Sequence, residues 1–220
     1  MGQATNSSRV RTHAYVGVAE LQSDFLLQKN AILQRLEEFA SVKPAEYFYE
    51  LAYCLLTPQS SAINADRAVE KLKAAGFPAR EMEPAEFLRQ TDSYVRFHNT
   101  KGRRLKEAKE KFPEIASRLR DGRSGADLRE WLVRNVKGLG WKEASHFLRN
   151  IGHRDLAILD RHILRNLKRH GVIHSLPTTL TPRRYLSIEQ KFLEFSRFVT
   201  IAMDELDLLF WSRETGEILK

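Results

Sequence analysis

The segment VKGLGWKEASHFLRN, residues 136–150, sets two glycines one residue apart, follows them with a lysine and runs on with helical periodicity. Ala144, Phe147, Leu148 and Ile151 recur at three- and four-residue steps, the apolar face of a helix that stops at Gly152. Just upstream, Leu128, Trp131, Leu132 and Val136 form the stripe of a preceding helix. VKGLGW is therefore a turn of the helix-hairpin-helix kind: apolar, any residue, Gly, apolar, Gly. Gly138 and Gly140 permit positive φ and the close approach of another backbone. Their N–H groups, with those of the next helix's first turn, can converge on a phosphate oxygen. A plain connector uses the same glycines, so the turn alone leaves DNA binding and simple connection both open.

The helical pattern extends outward in both directions. In AELQSDFLLQKNAILQRLEEF, Leu21, Phe25, Leu26, Ile32, Leu33 and Leu36 predict one long amphipathic helix, closed by Pro44. EYFYELAYCLL is apolar on most sides and reads as a buried helix ending before Pro58. NADRAVEKLKAAGF places Ala65, Ala68, Val69 and Leu72 on one face, with Gly76 as its stop. Further helices are expected over 84–90, 101–111, 113–120 and 126–136. No period-2 strand, hairpin dipeptide or internal repeat emerges, so the fold class is all-α.

Composition narrows the function classes. The formal net charge of +8 suits a polyanionic partner. A single cysteine, Cys54, lies within the apolar run LAYCLL, which makes it a small buried hydrophobe and excludes an internal disulfide, a Cys-rich zinc site or a four-thiolate cluster. His170 and His174 are four apart, but Gly171 intervenes, so no metal site is expected. No apolar run reaches the roughly 18 residues that span a bilayer. The start has no secretory apolar region, so residues 1–15 are expected to be frayed and the protein cytosolic.

Lys142 falls in the first turn of the second hairpin helix, where the helix dipole disfavours a cation. Partial burial by Trp141 or another aromatic would further favour a neutral amine, the form a lysine nucleophile or Schiff-base former requires. The bland alternative is one solvated lysine among 36 basic residues. Asp160 follows an apolar tripeptide and precedes Ile163, Leu164 and Leu167, the position of an N-cap. A capping carboxylate is held in fixed orientation and so suits a developing positive charge. Eighteen residues separate the two, enough for one helix and a return loop, so they can face each other across a groove.

Weaker candidates surround this pair. YVRFHNTKGRRLKEAK mixes Phe97 and His98 with Lys101, Arg103 and Arg104, the composition of a helix wedge with phosphate contacts, and equally of a solvated helix face. His162 is placed to donate to a phosphate. Leu206, Leu209 and Phe210 give the last helix an apolar face, which leaves Trp211 free to stack on a base or to join the core.

VKGLGWKEASHFLRNIG…LAILDRHIL resembles the helix-hairpin-helix, loop and aspartate signature of the base-excision DNA glycosylase superfamily. With LLTPQSSAINADRAVEKL and the terminal ELDLLFWSRETGEILK, most of residues 20–220 is similar to its compact prokaryotic 8-oxoguanine DNA glycosylase/AP lyase branch. The loop before Asp160 departs from the superfamily in lacking proline, and the absence of a cysteine cluster excludes the iron–sulfur branch. The resemblance implies excision of 8-oxoguanine from duplex DNA through a Lys142 Schiff base, followed by β-elimination, with Asp160 steadying the sugar cation. It implies no metal and no cofactor. It places Gln59 as a residue probing the opened helix, and the carboxylate of Lys220 against the damaged base. The implied architecture has a hairpin-bearing lobe, 44–152 with the hairpin at about 126–152, and a second lobe, 16–43 with 153–220. A cleft lies between them. The expected partner is double-stranded DNA carrying 8-oxoguanine or abasic sites, met by a monomer working in the cytoplasm at the nucleoid, with no membrane association. Action on another oxidised base and a non-catalytic DNA-binding module remain the alternatives.

Overall fold

A computed structural model describes residues 15–218. Among these residues there are ten α-helices and no strand: α1 (Val18–Ala40), α2 (Tyr47–Leu56), α3 (Ala62–Ala74), α4 (Pro84–Leu88), α5 (His98–Arg120), α6 (Gly125–Asn135), α7 (Trp141–Asn150), α8 (Arg161–Arg169), α9 (Pro182–Val199) and α10 (Met203–Thr215). Several starts follow from side-chain caps: Ser61 accepts from Asn64 N–H, Ser124 from Asp127 N–H and Thr181 from Arg184 N–H.

The helices enclose two apolar cores. One gathers α2, α3, α5, α6 and α7 around Phe48, Leu51, Leu105, Leu132 and Phe147. The other gathers α1, α8, α9 and α10 around Leu36, Ile163, Phe192 and Phe210. Leu36→Ala in the second core removes atoms that are buried throughout and costs roughly 2–5 kcal/mol. The chain passes from the second core to the first between Phe39 and Phe48 and returns at one peptide bond, Leu156 belonging to the first and Ala157 to the second. Helix α7 spans both: Trp141 packs on the second core, while Ala144, Phe147 and Leu148 fill the first.

Three sequence expectations change. Leu26 is exposed, not part of the α1 stripe, because the buried face runs Leu21, Phe25, Ile32, Leu36, Phe39. Pro113 does not divide the helix at 101–120; α5 continues through it. Proline removes one donor, but Pro113 lies on the exposed side of α5, where the Lys109 carbonyl left over can meet water. Of the frayed start expected over 1–15, residues 1–14 lie outside the described residues, while Tyr15 packs edge-on against Phe195 with ring centroids 4.8 Å apart.

Candidate active site

Helix α7 carries Lys142, His146 and Arg149 at i, i+4 and i+7, one face by helical geometry. All three line a cleft of about 730 Å³ between the cores, which Asp160, Arg161, His162, Asp207 and Trp211 close from the other side. The Thr57–Ser61 loop after α2 and Arg96 form its rim. Lys142 and Asp160, eighteen residues apart in sequence, thus share one cavity.

Asp160 is the N-cap of α8. Its Oδ1 accepts the N–H groups of His162 and Ile163, both at 2.8 Å. Its Oδ2 accepts the indole N–H of Trp211 at 3.1 Å. Three donors therefore hold the carboxylate in place. The loop leading to it has no proline, and side chains from two helices supply the rigidity instead. Tyr185 Oη donates to Ala157 O at 2.5 Å, Glu189 Oε2 accepts Ala157 N–H at 2.8 Å, and Asp204 Oδ2 accepts Asp155 N–H at 3.0 Å.

Lys142 is 27% exposed, with Nζ 3.4 Å from Glu143 Oε1. The expected shielding by Trp141 is not found. Trp141 turns to the second core, its ring 5.7 Å from that of Tyr185 with the Arg129 guanidinium above it at 4.9 Å. The cleft's aromatic lining comes from Tyr53 and Trp211.

The two hairpin glycines serve different purposes. Gly138 has φ +96°, and a Cβ there would lie 2.6 Å from Arg104 Cδ. Gly140 was expected to share positive φ but is extended at φ −88°, as an N-cap requires. Its N–H is also not open to a phosphate here, because Glu143 Oε2 accepts it at 3.1 Å. A Cβ on Gly140 would meet that same oxygen at 2.8 Å. Glu143 thus occupies the turn with one oxygen and approaches Lys142 with the other.

The remaining candidates separate. Trp211 is not free: it is partly buried, its N–H committed to Asp160 and its ring 5.1 Å from His162. His162 Nδ1 lies 3.4 Å from Glu214 Oε2. Gln59 is exposed on the cleft rim with φ 56°. Phe97 is 50% exposed with φ 62°, whereas the His98 ring packs edge-on to Tyr94 at 5.9 Å. Lys101 is not on a solvated face at all; it is buried, donating to Leu56 O and Pro58 O, each at 2.7 Å. Burial, with the Arg104 charge adding to it, pulls its amine down to about 8. Lys220 lies outside the described residues. Burial raises the Cys54 thiol, which keeps it protonated. Among the described residues no His, Cys, Asp or Glu group has the geometry to hold a metal ion.

Sequence reasoning missed Asp207 and Arg149. Asp207 is 5% exposed, its Oδ2 3.4 Å from Arg149 Nη1 and its Oδ1 buried without a hydrogen bond. Burial pushes its carboxyl up to about 7, with Arg149 opposing and Asp160 adding to the rise. The signal was spacing: Asp207 stands four residues before Trp211, and Arg149 seven after Lys142, so each shares a helix face with a residue already singled out.

The comparisons with known proteins decide which of the rival readings this cavity supports. A family profile described as 8-oxoguanine DNA glycosylase matches residues 32–201, well over half of the chain. The chain belongs to this family. A Fusobacterium nucleatum relative named 8-oxoguanine DNA glycosylase/AP lyase is 41% identical, covering 91% of this chain and 96% of its own. A Korarchaeum cryptofilum relative of the same name is also 41% identical, over 93% of this chain and all of its own. Among solved structures, the Methanocaldococcus jannaschii 8-oxoguanine glycosylase/lyase in complex with a 15mer DNA containing 8-oxoguanine superposes with a TM-score of 0.81 at 34% identity, covering 91% of this chain and 100% of that one. The Thermotoga maritima 8-oxoguanine DNA glycosylase gives the same TM-score at 33% identity, over 92% and 98% of the two chains. The helical fold and its hairpin are those of the family.

Proposed function

We propose that the protein excises 8-oxoguanine from duplex DNA and cleaves the strand at the abasic site. One observation carries the catalytic reading: an amine and a fully oriented carboxylate, Lys142 and Asp160, open into one cleft. In this reading the everted nucleotide presents C1′ to Lys142 Nζ. The nitrogen lone pair forms a C–N bond as the bond to the base breaks, and the base departs with the bonding electrons and takes up a proton. Asp160, held by its three donors, faces the positive charge that develops on the sugar. Opening of the sugar ring gives an imine, which makes the C2′ proton acidic. Loss of that proton expels the 3′ phosphate oxygen by β-elimination, and water releases the lysine. In this reading Lys142 and Asp160 carry the chemistry, with water consumed in the final release.

Around this centre, Gly138 with the first turn of α7 is assigned to the DNA backbone, and His162 to a phosphate once it leaves Glu214. Trp211 and Asp207 face the base. Gln59 and Phe97 are assigned to the opened helix, and the packing of His98 against Tyr94 favours Phe97 as the wedge. The two cores support lobes at 44–152 and at 16–43 with 153–220, with the cleft between them. One chain supplies both Lys142 and Asp160, which supports a monomer as the working unit. Among the described residues no helix is long and apolar enough to cross a membrane, and a duplex DNA substrate supports work in the cytoplasm at the nucleoid.

Borohydride reduction tests the reading, because it converts the imine into a permanent link. Wild-type protein is expected to trap on 8-oxoguanine duplexes, while Lys142→Gln binds them but neither excises nor traps. Trapping retained by Lys142→Gln would move the nucleophile elsewhere. Absence of trapping by the wild type would reduce the protein to a DNA clamp.

A further inference from the structure

Gln59 and Phe97 both hold the left-handed backbone conformation, at φ 56° and 62°. That conformation is strained for an L side chain and persists only where neighbouring structure imposes it. The two residues lie on separate segments, the turn after α2 and the entry to α5, yet both stand at the cleft mouth: Gln59 lines it, and Phe97 follows Arg96, which lines it too. The Arg96 guanidinium rests 4.9 Å over the Phe97 ring.

One side chain ties these segments together. Lys101, in the first turn of α5, sends Nζ under the Thr57–Ser61 turn and donates to Leu56 O and Pro58 O at 2.7 Å and to Ser60 Oγ at 3.0 Å. These partners flank Gln59 on both sides. Ser60 Oγ also accepts Arg96 N–H at 2.9 Å, and Lys101 N–H donates to Phe97 O at 2.9 Å, so the same group brackets Phe97. Lys101 is 2% exposed, and all three of its side-chain partners are uncharged oxygens. Three acceptors match the three donors of an ammonium. A buried lysine is otherwise costly to keep, so its retention here points to what it holds.

We infer that Lys101 is a positioning residue that locks the Gln59 turn and the Phe97 corner into a single two-pronged element, which enters the duplex as a unit when a nucleotide is everted. Neither prong needs to be ordered at the moment of opening, because both strained conformations are set beforehand. The inference rests on the proposed glycosylase reading, and its test separates the two.

Single-turnover excision is measured on an 8-oxoguanine duplex and, in parallel, borohydride trapping on a single-stranded abasic oligonucleotide, where no helix has to be opened. In Lys101→Met, which keeps the stem and removes the donors, the ratio of the duplex rate to the single-strand rate is expected to fall about tenfold, the factor for a site competent one tenth of the time. The fluorescence rise of 2-aminopurine placed opposite the lesion, which reports unstacking on binding, is expected to shrink in step. Ser60→Ala, which removes the shared hydroxyl and leaves Lys101 its two carbonyl acceptors, is expected to lower the same ratio more mildly and serves if Lys101→Met does not fold. An unchanged ratio in the folded variants, or an equal fall on both substrates, overturns the inference while wild-type trapping leaves the glycosylase reading intact. A wild type that traps on neither substrate removes both.

Discussion

At the scale of single residues, Asp160 and Asp207 show how one cleft puts two carboxylates in different surroundings. Asp160 has its charge met by two backbone N–H groups and the Trp211 indole, while Asp207 is buried and has its carboxyl raised to about 7. Trp211→Phe keeps the ring and removes the one side-chain donor to Asp160. A hydrogen bond to a charged group is worth roughly 1.5–3 kcal/mol, so single-turnover excision is expected to fall about ten- to a hundredfold, and a wild-type rate would show that the indole N–H does not matter. For Asp207 the linkage has a definite sign. An acid whose folded pKa lies above its unfolded one is bound to its proton more tightly in the folded state, so stability falls as pH rises from about 4 through about 7 and then levels. Asp207→Asn, which keeps the shape and an acceptor for Arg149, is expected to raise Tm over wild type by an amount that grows across that window. A Tm difference independent of pH would mean that the buried carboxyl does not titrate there. Lys142 and Asp160 were legible because each occupies a position with a local rule, a helix first turn and an N-cap. Asp207 and Lys101 were not, because a charged side chain becomes unusual only once distant helices have buried it.

At the scale of elements, the hairpin was readable from its glycines, but the two glycines are there for different reasons. Positive φ at Gly138 is a backbone demand; at Gly140 the demand is space for the Glu143 carboxylate. Periodicity reports which residues face the core and says nothing of φ, so the sequence pattern treated them alike. Gly138→Ala places an L residue in a strained region, costing about 1–2 kcal/mol, and presses on Arg104 as well. Gly140→Ala incurs no such backbone cost and displaces only the mobile end of Glu143. Denaturant titration is therefore expected to show Gly138→Ala clearly less stable than Gly140→Ala, with Gly138→Ala also weakened in DNA binding by fluorescence anisotropy. The opposite order of stability would contradict this division of roles. Helix α5 teaches a similar lesson: a proline on a solvent-facing side is compatible with a continuous helix, and which side faces solvent is a tertiary fact.

At the scale of the whole molecule, the separation of Lys142 from Asp160 depends on how two cores are joined, and pattern reading reaches the cores but not the joint. One link in the joint is an ion pair. Arg129 of α6, 1% exposed, meets Glu189 of α9 through two bonds of 2.5 and 2.7 Å, donates to Ser145 Oγ at 3.2 Å and has its guanidinium 4.9 and 5.7 Å from the Trp141 and Tyr185 ring centroids. Glu189 also accepts Ala157 N–H, so one carboxylate connects the hairpin-bearing core to the loop that ends at Asp160. Glu189→Gln keeps the shape but leaves the Arg129 charge buried without a counter-ion, which costs roughly 3–5 kcal/mol. A double replacement, Arg129→Met with Glu189→Met, removes both charges and is expected to recover much of that stability, since buried ion pairs and apolar groups of like size are often near parity. Activity should not recover with it. Without the carboxylate, Ala157 N–H loses its acceptor, and the loop that sets Asp160 against Lys142 loses a support. Thermal melts and single-turnover rates measured on the same three proteins separate the outcomes. A double variant that is stable yet slow supports the joint as the device that holds the two cleft residues in register, and one that is stable and fast assigns the ion pair to folding alone.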